Sequence, residues 1–250
     1  MTFVNMERGD GLATVRLQRG KVNALNEQVV DELSECFREL EADPAVRGIL
    51  LTGSGKFFSF GFDIPEFLGV TKEDFTRYLH RFTRLYRELF VHPRPVVAAL
   101  NGHAVAGGCM LASACDVRVM VRENARIGLN EIGFGSSLFA GSLELLRFWV
   151  GDRRAQQIAY AGALYTAEEA LALGLVDVIA DGPGLLDEAR SRLAELTGKS
   201  QLAFGGIKRQ LRQPVLDEIQ RREDASIREF VEIWYSKETR AQLEMIEIRP

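Results

Sequence analysis

The sequence predicts an α/β fold with strands and helices alternating along the chain. Three observations carry this. Short apolar runs of strand length recur between turn residues. Stripes of period 3.6 separate them, and the last third carries helical periodicity with almost no strand signal.

The strands come first. Leu12 to Leu17 places apolar residues at Ala13, Val15 and Leu17, a period of two. Val46 to Thr52 and Val96 to Leu100 are continuous apolar runs, suited to strands buried on both faces. Val117 to Val121 and Leu175 to Ala180 are two more candidates.

Helix signals lie between these runs. Asn26 is placed to cap a helix whose stripe is Val29, Val30, Leu33, Cys36, Phe37 and Leu40, with Pro44 beyond its end. Thr71 to Asp74 is a variant of the capping box. The face Phe75, Leu79, Phe82, Tyr86 and Leu89 follows, and Pro93 stops it. Thr166 to Glu169 is a fuller capping box, with Gly174 as the helix stop. From Pro183 onward the pattern is helical, with one stripe through Val215, Leu216, Ile219, Ile227, Phe230, Val231 and Trp234. The expected division is an α/β core over residues 1–180 and a helical region over 181–250, forming one functional unit.

Composition narrows the function classes. At about 150 residues per domain, 250 residues make one large domain or one domain with an appendage. A net charge of −4, without a basic stripe, disfavours a nucleic-acid partner. No apolar run approaches the ~18 residues of a membrane span. No basic segment leads into an apolar run near Met1, so no signal peptide is expected. Cys36, Cys109 and Cys115 form neither a disulfide framework nor a zinc pattern, and read as reduced thiols in a cytoplasmic setting. His80, His92 and His103 lack metal-ligand spacing and read as structural, so no metal is expected. The sequence has no G-x-S-x-G elbow, G-x-G-x-x-G turn or Walker A loop.

Two segments stand out. Gly53 to Ile64 follows a buried strand, is rich in aromatics, and breaks at Gly61 before Asp63. Asn101 to Ala112 ends a strand, passes through Gly107-Gly108, and enters an Ala/Leu/Met-rich helix. Free N–H groups at a helix start carry partial positive charge. Two backbone donors converging on one oxygen make an oxyanion hole. Asp63 and Asp116 read as turn-holding or capping acids rather than chemical ones.

Taken together and in order, several segments resemble the crotonase superfamily, the enoyl-CoA hydratase/isomerase family. They are Asn23-Ala24-Leu25, Phe58 to Asp63, Asn101-Gly102 through Gly107-Gly108, Ala114-Cys115-Asp116, Ala125 to Glu131, and Ala170 to Asp177. The resemblance covers essentially the whole chain. It implies the spiral fold of repeated ββα units with a C-terminal helical region. It also implies coenzyme A thioester substrates with no separate cofactor, and a homotrimer or dimer of trimers. Carried over by position, the oxyanion donors are the N–H groups of Phe62 and Gly107. The substrate-binding positions are Ala24, Phe60, Gly61, Asp63, Ile64, Gly108, Met110 and Asn130. A coenzyme A site also needs cations for its phosphates, and Lys21, Lys56 and Lys208 are the candidates.

The resemblance divides at the carboxylates. A hydratase of this family uses two glutamates on one water. The first falls at Met110 here, where a thioether cannot act as a base. The second matches Glu131. One base suffices for a 1,3-proton shift, and Ile127 to Glu131 and the tail from Phe230 look most like the 3,2-trans-enoyl-CoA isomerase branch. The expected reaction is therefore isomerisation of 3-enoyl-CoA to 2-enoyl-CoA, with Glu131 as catalytic base. Leu129, Ile132 and Phe134 are expected to raise its pKa by desolvation. Phe60 and Phe62 stand where smaller residues are common. They either narrow the acyl pocket or pack on the adenine side of the ligand. Ser136 and Ser137 have no evident base partner. The alternatives are weak hydration, thioester hydrolysis or decarboxylation, and, outside enzymes, non-catalytic coenzyme A binding.

Overall fold

A computed structural model describes residues 1–246; the last four residues of the helical region expected over 181–250 lie outside it. The chain opens with a hairpin, β1 (Val4–Gly9) and β2 (Leu12–Leu17), turned by Asp10 and Gly11 at φ 53° and 76°. Helix α1 (Glu27–Ala42) follows, and Asn26 Oδ1 accepts the Val29 N–H at 3.1 Å. Its whole predicted apolar stripe is buried.

Three repeats come next. The first is β3 (Gly48–Gly53), β4 (Phe57–Ser59), α2 (Ile64–Leu68) and α3 (Lys72–Phe90). The second is β5 (Val96–Leu100), β6 (His103–Val105) and α4 (Gly107–Ser113). The third is β7 (Val117–Val121), β8 (Ile127–Gly128), a 3-10 turn over Glu131–Phe134, and α5 (Ala140–Ala161), which bends at Gly151. Then follow α6 (Ala167–Leu173), β9 (Val178–Ala180), α7 (Leu185–Thr197), α8 (Gln201–Trp234) and α9 (Lys237–Leu243).

Each repeat sends its first strand to a large sheet and its second to a small one. The large sheet runs β1-β2-β3-β5-β7-β9 and is parallel apart from the opening hairpin; the small sheet β4-β6-β8 is parallel throughout. This is the ββα spiral of the expected fold. Parallel strands need both faces covered, and β3 and β5 are buried at every residue. Helix α7 lies over β3, β5 and β7, while α8 packs on α3 and α5.

The structure departs from the periodicity at short or exposed strands. β1 is an edge strand with half-buried or exposed residues after Val4, so it has no apolar signature. β4, β6 and β8 have two or three residues each, too few to show a period. The strand expected from Leu175 begins at Val178 instead. Gly174 turns at φ 82°, and the Leu175 N–H returns to Ala170 O at 2.8 Å, so Leu175 and Val176 are buried in the helix stop.

Helix α8 is anchored by a buried ion cluster. Asp116, between α4 and β7, accepts the Val96 N–H at 2.7 Å, and pairs with Lys208 Nζ at 2.8 Å and Arg212 Nη2 at 2.9 Å. Lys208 is therefore not available to a phosphate, which corrects that expectation; Lys21 and Lys56 are exposed. All three cysteines are free and buried. Among the described residues no helix is long and apolar enough to cross a membrane.

Candidate active site

The site is assembled from the second strands of the repeats and the turns that leave them. Asn23, at φ 50°, starts it. Its side-chain amide donates to Phe57 O at 2.8 Å and Ser54 O at 3.0 Å, which holds β4 beside the segment before α1. The chain after β4 then runs along residues 22–25. Phe60 N–H bonds Val22 O, Leu25 N–H bonds Gly61 O at 2.7 Å, and Asp63 N–H bonds Leu25 O. Gly61 O and Asp63 N are thereby used. The Phe62 N–H between them has no backbone acceptor among the described residues.

The second glycine turn meets the first. Gly61 sits at φ 99°, and a Cβ there would lie 2.9 Å from Val105 O and 3.0 Å from Gly107 N. Only glycine allows this approach. Ala106 precedes α4 at φ 50°, ψ −118°, and offers no side-chain cap. Gly107 is the first residue of α4, so its N–H has no helical partner, and among the described residues no backbone acceptor takes it. Two unused N–H groups, on Phe62 and Gly107, thus lie on facing loops.

These loops border a cleft holding about 440 Å³ of space, part of it open to solvent. Its walls are mostly apolar: Phe60, Phe62, Ile64, Val105 and Phe134 from the core, with Phe230 and Trp234 from α8. Phe62 is fixed by edge-on packing against Tyr78 and Phe82, at ring separations of 5.2 and 5.0 Å. Both aromatics of the first motif therefore narrow the cleft.

Glu131 and Asn130 bring polar atoms to this wall. Glu131 is 4% exposed, and its Oε2 has no hydrogen-bond partner among the described residues. Burial pushes its carboxyl up to about 8, opposed only by a bond to its own N–H. A carboxyl in that range is poised to hold or release a proton near neutral pH. Asn130 Oδ1 is likewise buried and unpartnered among the described residues. The desolvating neighbours differ in part from those expected. Leu129 is buried and Phe134 lines the cleft, but Ile132 is 51% exposed and points away.

Of the sequence-predicted positions, Phe60, Phe62, Ile64, Asn130 and Glu131 line the cleft. The others do not, for separate reasons. Ala24 is buried, and its carbonyl accepts from Arg19 Nη1 at 3.1 Å. Asp63 caps α2 and pairs with Arg19 at 2.6 Å. Gly61 and Gly107 face each other behind the Phe62 ring. Gly108 lies against the Ser59 backbone, where any Cβ would collide. Met110 packs in the hydrophobic core at 2% exposure and is not among the residues that border the cleft. Val105, Ala106 and Ile246 were not anticipated. Phe230 and Trp234 stood in the sequence as part of a packing stripe and of the tail that resembles the isomerase branch, and neither was named as lining the cleft. Their i, i+4 spacing beside a predicted pocket was the available signal.

Comparisons with known proteins converge on one family. A family model described as enoyl-CoA hydratase/isomerase matches residues 7–250. A Thermus thermophilus protein provisionally named an enoyl-CoA hydratase is 39% identical, over 79% of this chain and 78% of its own. The mouse mitochondrial enoyl-CoA delta isomerase 1 is 29% identical, over 91% of this chain and 80% of its own. Among solved structures, the human mitochondrial delta3-delta2-enoyl-CoA isomerase superposes with a TM-score of 0.92 at 27% identity, covering 97% of this chain and 96% of the other.

Proposed function

The chain belongs to the enoyl-CoA hydratase/isomerase family, and on that premise we propose that it isomerises 3-enoyl-CoA to 2-enoyl-CoA with Glu131 as the only base. One observation carries the reading: a buried, unpartnered carboxyl stands on the cleft wall, while the position of the family's other glutamate holds Met110 in the core.

In this reading the thioester carbonyl oxygen accepts from the N–H groups of Phe62 and Gly107. Glu131 takes a proton from C2. The C2–H electron pair enters the conjugated system, and negative charge gathers on the thioester oxygen as a dienolate. The same carboxyl returns the proton at C4, and the double bond ends between C2 and C3. Each fixed donor is worth about 10²–10³ in rate, and positioned proton transfer about 10²–10⁴. The apolar walls keep water from competing for the dienolate. The substrate is the thioester itself, with no further cofactor. A homotrimer is the assembly we propose, supported by the exposed Leu202, Ile207 and Leu211 on α8.

Hydration of 2-enoyl-CoA is the second reading, favoured by the hydratase names of several relatives. A panel of 3-enoyl-, 2-enoyl- and saturated acyl-CoAs separates the two. Isomerisation predicts fast loss of the 3-enoyl substrate and little 3-hydroxyacyl product. Glu131→Gln is expected to lower that turnover by at least about 10³-fold, with acyl-CoA affinity within about threefold. Full turnover in this variant would sink the assignment.

A further inference from the structure

We infer that Thr239 and Arg240, on helix α9, are positioning residues that fix the Glu131 carboxylate relative to the Phe62 and Gly107 donors. This rests on the proposed role of Glu131 as base.

The base cannot hold itself in place. Its Oε2 has no partner among the described residues, and its own N–H is its single internal bond. Its position must therefore come from the turn that carries it. That turn has little anchorage of its own: Ile132, Gly133 and Gly135 are exposed, and Phe134 is half-buried on the cleft. It closes at Gly135, in the left-handed region at φ 75°, and the Ser136 N–H returns to Glu131 O at 2.9 Å.

Helix α9 supplies the external hold. Thr239 is 1% exposed, and its Oγ1 donates to Gly135 O at 2.6 Å. Ser236 caps α9, and its hydroxyl donates in turn to Thr239 Oγ1 at 3.1 Å. The same helix reaches the opposite wall. Arg240 Nη2 donates to Leu68 O at 2.7 Å, at the end of α2. Just ahead of α9, Tyr235 at the end of α8 donates its Oη to Val70 O at 2.8 Å. Helix α2 begins one residue after the Asp63 cap, directly behind Phe62. A seven-residue helix thus spans from the turn bearing the base to the element following an oxyanion donor. Proton transfer needs heavy atoms within about 3.2 Å, and a misplacement of about 1 Å costs up to about 10²-fold. Loosening either end of α9 changes that distance without touching substrate.

The test pairs Thr239→Val, which removes the hydroxyl and keeps the shape, with Thr239→Ser, which keeps the hydroxyl. Thr239→Val is expected to lower kcat on a 3-enoyl-CoA by about 10–100-fold, with KM within about twofold, and Thr239→Ser to restore it. A second readout needs no turnover. In the free protein, the ¹³C carboxyl signal of Glu131 is expected to titrate near 8, where burial places its carboxyl. In Thr239→Val it moves down by about one pH unit, because a loosened turn admits water. Arg240→Met cuts the other end and should reproduce both effects, which keeps the test usable if Thr239→Val does not fold. Wild-type kcat and an unmoved titration in the folded variants would overturn the inference. So would an equal loss in Thr239→Ser. If wild type turns over no 3-enoyl-CoA while the titration still moves in Thr239→Val and not in Thr239→Ser, the positioning stands and the isomerase reading fails.

Discussion

Glu131 and Asp116 are both carboxylates shut away from water, and the fold treats them in opposite ways. Asp116 is fully engaged: a backbone N–H, the Lys208 ammonium and the Arg212 guanidinium all bind it. Glu131 receives no partner from another residue among those described. A buried charge without partners is costly, so the group stays neutral and its pKa rises. A buried charge with partners becomes a fastener, here between the core and α8. The difference between the two acids is what supports the proposal of Glu131, rather than Asp116, for chemistry. Burial alone does not single out an acid for chemistry; burial without a partner, on the wall of a cleft, is the observation behind the proposal.

The comparison can be broken first at Asp116. Asp116→Ala leaves two cations buried without their anion, which costs about 3–5 kcal/mol. For a domain of this size that is on the order of 10 °C in Tm, readable by calorimetry. The kcat of the remaining folded enzyme should change less than about tenfold. An unmoved Tm would mean that the cluster does not fasten α8. Glu131→Gln should do the reverse, sparing the fold and removing turnover.

A pH series sharpens the contrast. The Glu131 pKa is about 8 in the folded protein against 4.5 as the ordinary value. Between these pH values the folded state holds a proton that the unfolded state has lost. Stability from this group is therefore full below about 4.5 and falls as pH rises toward 8, by about 1.4 kcal/mol per unit. Glu131→Gln removes that slope, so the variant should match wild type near pH 4 and exceed it near pH 9 in chemical denaturation. In the proposed reaction Glu131 acts as a base only when ionised. kcat/KM should rise about tenfold per pH unit and level off near 8. A profile already flat at pH 6 would place the base elsewhere or show that the carboxyl is solvated.

Much of this was legible in the sequence, and the boundary is physical. Strands β5 and β7, the Asn26, Thr71 and Thr166 caps, and the Gly174 stop are local signals of period and hydrogen-bonding chemistry, and they fall where the residues place them. The two-residue β8 carries no period at all. At the site, the resemblance to the family implied Phe62, Gly107 and Glu131 by position. The mates of Asp116 were not legible, because Lys208 and Arg212 lie more than ninety residues away and reach it only through packing. Nor was the bond from Thr239 to Gly135, which joins residues far apart in sequence. Met110 read as a pocket residue because its position matches a glutamate of the family, and its side chain packs in the core.

The smallest expected effect tests whether the chemical region also stores backbone strain. Ala106 holds φ 50°, ψ −118°, a conformation that suits glycine and costs another residue about 1–3 kcal/mol. Its N–H is fixed to Gly128 O at 2.9 Å, so the strand beyond it cannot relax the turn. Ala106→Gly relieves the strain but loosens the unfolded chain, which takes back about 0.4–1 kcal/mol. The net expectation is a gain of about 1 kcal/mol, measured as a rise in the denaturation midpoint at constant m-value. The Gly107 N–H keeps its direction, so kcat should stay within about threefold of wild type. A stabilised variant that has lost tenfold or more in kcat would show that the Ala106 methyl, which lines the cleft, positions the substrate. A destabilised variant would show that the turn is held without strain. In that case the cost of the chemical region rests on the Glu131 carboxyl alone.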